Sequence, residues 1–277
     1  MKLIIDTDIG SDIDDALAIA YAVRSGYDIP LITTVHGKPE LRAKAAKKLV
    51  DLLGVDIPIA IGEAQPLKQK HIFWYGYECA GLLEETESVD MRGVSGQGVE
   101  ALIETIRENA GNIAIAAIGP LTNIARAFQK APDLPRKLAG LYMIGSATLR
   151  NDEFIQTYRA HNFKVDPEAV DIVFSSKVSK TLITTSVAKQ LPIARAEMMA
   201  LGINGPVGNL LARGTDAWLT QSMYTDIYLY DPLVVAHHTF SDLTEKVQYL
   251  DTSITTHLRG DFKKLFFDTV GDENHGH

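Results

Sequence analysis

KLIIDTDIGSDIDDALAIAYAVRSG, residues 2–26, sets an acidic segment between two apolar ones. KLIID (2–6) reads as a short buried strand ending in Asp. DDALAIAYAVRSG (14–26) is apolar on most faces and stops at Gly26, as a helix does. Five aspartates, Asp6, Asp8, Asp12, Asp14 and Asp15, fall within ten positions across the join. Carboxylates this close repel one another, and here they lie between buried elements rather than on a solvated face. On one reading Asp12 or Asp14 caps the helix while the others are solvated. On the other, the group holds a hard cation such as Ca²⁺, which takes about six to eight oxygen ligands. Gly10 then allows the tight turn around the ion, and Asp14 and Asp15 meet the positive end of the helix dipole. The position of the whole cluster at a strand end favours metal binding or catalysis. A DxD after a first strand also suits a Mg²⁺-dependent phosphotransferase. That reading needs a phosphate cradle and a positioned lysine, for which Lys38 is the nearby candidate.

Outward from this stretch, strand-like and helix-like runs alternate. IPLITTV (29–35) is β-branched, and PELRAKAAKKLVDLLG (39–54) carries Leu41, Ala45, Leu49 and Leu52 at helical spacing. IPIAIG (57–62) is a strand, and 63–95 is polar and aromatic without a clear period, predicting loop with some helix. VEALIETIREN (99–109) is helical and IAIAAIG (113–119) is a strand. PLTNIARAFQKAP opens a helix with Pro in its first turn. LAGLYMIG (138–145) and KTLITTSV (180–187) are strands, DPEAVDIVFSS (166–176) is a helix, and 247–261 alternates as late strand pairing. The pattern predicts an α/β fold: an open, mostly parallel sheet with helices on both faces, a Rossmann-like core in one domain, 1–277. Ligands of such sheets bind beyond the carboxyl ends of the strands, which is where the acidic loop lies.

The composition narrows the function classes. A net charge of −8 with no long Lys/Arg run argues against nucleic acid as partner. The densest basic stretch, LRAKAAKKLVDLLG, reads as a helix with one charged face. One cysteine, Cys79, excludes an internal disulfide framework and disfavours a thiolate metal site. No apolar run approaches the ~18 residues of a membrane span, and no secretory leader is apparent at the start. The expectation is a cytoplasmic protein whose partner is a small molecule and not a membrane.

DTDIGSDIDDALAIA, LITTVHGKPE, IAAIGPLTNIARA (115–127), HNFKVDPEAVDIVF (161–174) and YDPLVVAHH (230–238) occur in that order. Together they resemble the inosine-uridine preferring nucleoside hydrolase family, over residues 2 to about 265. The chain is expected to end soon after its late strands, short of the final helix usual in such proteins. The resemblance implies Ca²⁺-dependent hydrolysis of the N-glycosidic bond of ribonucleosides, releasing ribose and free base. The ion would bind the attacking water and two ribose hydroxyls. Asp8 would be metal ligand and general base, Asp15 the main metal ligand, Ile118 a ligand through its backbone carbonyl, and Asp231 the closing ligand. The loop is two residues longer than the family's, so either Asp14 or Asp12 takes the ribose-binding role, with Asp14 preferred. Asn162 matches the asparagine that binds ribose. Homodimers or homotetramers are implied in the same way.

Four positions depart from the family pattern. Tyr230 replaces the histidine that serves as leaving-group acid, and a phenol of ordinary pKa about 10 is a poor acid at neutral pH. Its ring can stack instead. Tyr75, in the aromatic WYGYECAG, replaces a second histidine and is a candidate for base contact with Trp74 and Tyr77. Ala160 replaces a glutamate that holds the 5′ end of the sugar, with His161 beside it as a possible substrate contact. Lys38 replaces an asparagine and is expected to weaken cation binding, pair with Asp8 or meet an anionic substrate. His237 and His238 read as structural. The changes predict a shifted preference, with stacking favouring purines such as inosine. The alternatives are a non-catalytic nucleoside- or ribose-binding protein of the same fold, or a hydrolase of an anionic riboside.

Overall fold

In the computed structural model, described for residues 1–68, 72–150, 153–202, 205–222 and 224–271, the first stretch forms strand β1 (Lys2–Thr7) and helix α1 (Asp14–Arg24). The chain continues through β2 (Ile32–Thr34), α2 (Pro39–Leu52), β3 (Ile59–Ile61), β4 (Val94–Ser95), α3 (Gly98–Glu108), β5 (Ile113–Ala117) and α4 (Thr122–Lys130). Next come β6 (Gly140–Arg150), β7 (Glu153–Thr157), α5 (His161–Val165), α6 (Pro167–Ser175), β8 (Lys180–Thr184) and α7 (Thr185–Ala188). The last part holds β9 (Pro192–Ala194), α8 (Arg195–Leu201), α9 (Gly205–Gln221), β10 (Asp226–Tyr228), α10 (Tyr230–Ala236), β11 (Thr244–Tyr249), β12 (Thr252–Leu258) and α11 (Phe262–Val270).

The main sheet runs β11-β12-β8-β6-β5-β1-β2-β3-β4. All neighbours from β12 to β4 are parallel, and only β11 runs antiparallel at its edge. β7 folds back on β6 as an antiparallel arm. Side chains of β1 alternate between two cores, as a strand covered on both faces requires. Leu3 and Ile5 pack with α1, α2, α10 and α11, while Ile4 packs with α3, α4 and α6. From Asp14 to Ala22 every residue of α1 is buried, because α10 and α11 cover its far side. That explains its near-uniform apolarity. Ser25 and Gly26 (φ +70°) end it, with Gly26 N–H donating to the Val23 carbonyl at 3.0 Å.

The order β5-β1-β2 decides where the site lies. The chain leaves β1 in one direction for β2 to β4, and returns by β5 to build the other half. The carboxyl ends of β1, β2 and β5 therefore open into one crevice at the reversal of strand order.

Several expectations are corrected. Residues 63–93 contain no helix among the described residues. The strand expected over 180–187 stops at Thr184 and turns into α7, and Pro120 lies ahead of α4 rather than in its first turn. A final helix does follow the late strands: α11 buries Phe262, Phe266 and Val270, and Tyr21 of α1 packs edge-on against Phe262. Its short apolar set after a Gly-Asp turn carries too little periodicity to stand out. The 17-residue α9 also escaped notice, because Gly205, Gly208 and Gly214 break its pattern. The glycines are there for contact: a Cβ on Gly214 would press on Ile13 and Leu82.

Candidate active site

The first layer of the crevice is a scaffold that fixes the strand ends. Asp6 closes β1 fully buried, with Oδ1 accepting from Thr33 of β2 and, at 2.7 Å, from Asn123 of α4. Burial pushes its pKa up to about 7. Asn123 also donates to the Thr34 carbonyl (3.1 Å) and accepts from the Glu63 N–H (2.8 Å), so one side chain ties three strand ends together. Thr122 donates to Asp166 Oδ2 at 2.7 Å. Gly119 is needed for close approach: a Cβ there would lie 2.7 Å from Val35 Cγ1 and 2.8 Å from the Asp8 nitrogen. The GPLTN motif thus acts by holding the acidic loop against β5.

On this scaffold the loop packs its carboxylates together. Gly10 takes φ +94° and lies against Cys79, whose N–H donates to the Gly10 carbonyl at 2.9 Å. Asp8 is buried, and its Oδ2 accepts from Ser11 Oγ at 2.7 Å. Asp15 accepts from Thr7 Oγ1. The Asp231 N–H, at the start of α10, donates to Asp14 Oδ2 at 3.4 Å. One oxygen each from Asp12, Asp14 and Asp15 lies within 4.8 Å of the others. Burial, and then neighbouring carboxylates, raise the pKa of Asp14, Asp15 and Asp231 well above the ordinary range. The capping alternative fails: the residue before α1 is Ile13, and no side chain caps that end.

Buried carboxylates that mutually oppose ionisation fit a divalent cation, which offsets the repulsion and supplies the missing partner. Asp15 belongs both to the compact trio and to the expected metal set. Asp12 and Asp14, expected at ribose, join it there. Asp8 and Asp231 act on the same group of charges: Asp8 raises Asp15 and Asp231, and Asp231 raises Asp14. The Ile118 carbonyl, just beyond β5, accepts from Asn162 Nδ2 at 2.6 Å. Asn162, Ile118 and the acidic loop therefore share the crevice.

The family model described as inosine-uridine preferring nucleoside hydrolase matches residues 3–271. The chain belongs to this family. It is 31% identical over 208 residues to "Probable uridine nucleosidase 2" of Oryza sativa subsp. japonica, covering 72% of this chain and 61% of that relative, less than two thirds of its length. Against uridine nucleosidase 1 of Arabidopsis thaliana it is 30% identical, covering 84% of this chain and 72% of the relative. The solved purine-preferring ribonucleoside hydrolase of Gardnerella vaginalis superposes with a TM-score of 0.82 at 22% identity, over 98% of each chain. Family membership supports hydrolysis of ribonucleosides, and the superposition extends the shared fold over 98% of the chain.

Around this nucleoside hydrolase cluster stands an aromatic rim that the sequence showed only in part. Tyr75, 62% exposed, stacks on Tyr77 at 5.8 Å. Tyr224, 63% exposed, stacks on Trp218 of α9 at 5.3 Å and 11°. Tyr228 packs on Tyr230 at 5.5 Å. Asp12 and Tyr224 act on the charges of both Tyr77 and Tyr230, so the groups converge on the acidic loop. A crevice of about 10 Å³ beside Asp12 is lined by Tyr77 and Trp218. Larger surface hollows, about 410 Å³ by α8–α9 and about 510 Å³ by α4–α6, do not touch the carboxylates of the acidic loop or Asp231. Trp218 and Tyr224 were missed because nothing in their local sequence ties them to the motifs. The pair lies 200 residues from the loop it faces.

Lys38 Nζ lies over the Trp74 ring at 5.1 Å, and the cation 4.0 Å from Asp8 is Arg42, so among the described residues the expected pairing of Lys38 with Asp8 is not formed. Tyr230 is held in its neutral form by burial and by the charges of Asp14 and Asp12, so it is a weaker acid than an ordinary phenol. His161 has a buried Nε2 without a hydrogen-bond partner among the described residues and packs on Phe73 at 5.9 Å. His237 bridges the Leu233 carbonyl and Thr244 Oγ1, and His238 meets the Met1 carbonyl, both structural as expected.

Proposed function

We propose that the protein hydrolyses the N-glycosidic bond of ribonucleosides with Ca²⁺ as cofactor, and that Asp8 is the general base. The observation that supports this most is the buried set of carboxylates from both ends of the chain, gathered where β1, β2 and β5 open. A bound divalent cation supplies Lewis-acid stabilisation and a lowered water pKa. Asp8, Asp15 and Asp231 would hold it, with the Ile118 carbonyl and with Asp14 beside them. Asp8 would also take the proton of the attacking water, a contribution of about 10²–10⁴-fold for a positioned base. Asn162 orients the sugar, and Asp12 or Asp14 accepts from its hydroxyls as charge grows on the ribosyl centre.

Departure of the base rests on stacking, not on an acid. Tyr75, Tyr77, Trp218 and Tyr224 offer ring faces, and base–aromatic stacking is worth about 1–3 kcal/mol per base. A larger purine ring profits more, so inosine is the preferred class in this reading. The named uridine nucleosidases among the relatives set the competing outcome. The anionic-riboside alternative rests on Lys38, whose Nζ lies over the Trp74 ring.

We also read the chain as one domain, cytoplasmic, and a homodimer or homotetramer. No described helix is long and apolar enough to cross a membrane. The test is ribose release from a panel of purine and pyrimidine ribonucleosides, with Ca²⁺ and with a chelator. Calcium-dependent release is expected, fastest with inosine. Much faster cleavage of uridine or cytidine would reverse the base preference. No release, from protein that binds both Ca²⁺ and nucleoside in calorimetry, would make it a binding protein.

A further inference from the structure

Arg42 is the largest fully buried side chain among the described residues, and it projects from α2 under the acidic loop. Its Nη1 donates to the carbonyl of Asp8 and, at 3.0 Å, to that of Ile9. Its Nε donates to the His36 carbonyl at 2.8 Å, where the chain leaves β2 with φ +69°. One guanidinium thus joins the loops after two neighbouring strands. Trp74 covers it, with the ring centre 5.2 Å from Cζ.

Loop closure alone would explain those three bonds. It does not explain Nη2, which is buried, makes no hydrogen bond among the described residues, and lies 4.0 Å from Asp8 Oδ2. A buried charge without a close partner is costly, so the arrangement keeps a fixed positive charge beside this carboxylate at a penalty. The same Oδ2 accepts from Ser11 Oγ. We infer that Arg42 is a positioning residue for Asp8. It pins the backbone under Asp8 and, with Ser11, occupies the Oδ2 side, leaving Oδ1 as the oxygen that takes the proton from water. This rests on the proposed role of Asp8 as base and adds the residue that orients it.

The test uses the full chain with Arg42→Met and Arg42→Lys. It reads kcat and KM for ribose release, Ca²⁺ affinity by calorimetry, and the melting temperature as a control for folding. In Arg42→Met, kcat is expected to fall about 10- to 100-fold with KM within about threefold. Ca²⁺ binding should be unchanged or tighter, since a repelling charge has gone. Arg42→Lys, which keeps the charge without the fork, should recover part of kcat. An unchanged kcat, or Ca²⁺ affinity falling in step with kcat, would overturn the inference and leave Arg42 as a builder of the loop. If Arg42→Met does not fold, Arg42→Lys decides by the same criteria. If the wild type releases no ribose, the hydrolase reading has failed and the role of Arg42 toward a general base falls with it; ribose release by the wild type with an unchanged kcat in Arg42→Met overturns the Arg42 inference alone.

Discussion

The acidic loop and the aromatic rim face each other across one crevice and are built in opposite ways. The loop is buried and held at every step: Asp6 by Thr33 and Asn123, Asp15 by Thr7, Asp8 by Ser11, and the backbone by Arg42 and Cys79. The rim is carried by segments outside the main sheet, and its outer rings, Tyr75 and Tyr224, are mostly exposed. Charges that must be brought within a few ångströms against their repulsion need a rigid frame. Ring faces that only have to meet a flat base do not. In the proposed function the loop would carry the chemistry and the rim the preference.

The largest expected effect breaks the loop. Asp15→Ala removes the carboxylate common to the compact trio and the expected metal set. Calcium binding in calorimetry should be lost, and ribose release should fall by about 10³-fold or more. Wild-type calcium affinity in this variant would separate the trio from the metal.

The loop should also tie stability to pH. Asp14, Asp15 and Asp231 have folded pKa values raised above the ordinary value of about 3.9. Their contribution to stability is therefore present at low pH and is lost as pH rises through those values. Chelator-treated protein should melt at a lower temperature at pH 8 than at pH 5, and Ca²⁺ should reduce that difference. Melting in chelator that rises with pH would contradict the charged cluster.

Changes in the rim should act on preference with little effect on the ion. Trp218→Ala and Tyr224→Ala should each lower kcat/KM for inosine about tenfold, within the range of one lost stacking contact, and lower that for uridine less. Calcium affinity should stay at the wild-type value. Equal losses on both nucleosides would assign the rings to structure. The smallest effect is expected at Tyr230→Phe, which keeps the ring and removes the proton. Activity should change by less than about threefold, whereas loss of a working acid costs about 10²-fold or more.

The same contrast governs what could be read in the sequence. The strand–loop–helix of 2–26 declares itself because apolar runs flank a dense charge. The parallel alternation then places that loop at the carboxyl edge of the sheet. Asp231 and Asn162 were found through their motifs. Arg42 was not, because a helical arginine among lysines looks like surface. Only the fold shows that its face of α2 turns under the loop. Asn123 was seen as part of a motif, yet its bonds to three strand ends depend on the packing of α4. The rim was half visible as WYGYECAG, while its other half, Trp218 and Tyr224, comes from α9 and the segment after it, where glycines had hidden the helix. The surroundings of Lys38 were hidden for a related reason: adjacency in sequence to the site did not reveal Trp74 standing beside it.

The central claim is that Asp8 is the base of a hydrolase. The most direct measurement is ribose release from inosine by wild type and Asp8→Ala at equal, saturating Ca²⁺, with ion occupancy checked by calorimetry. The account predicts that the variant still binds the nucleoside while its kcat falls by about 10²–10⁴-fold. Ribose release at the wild-type rate from Asp8→Ala would contradict it.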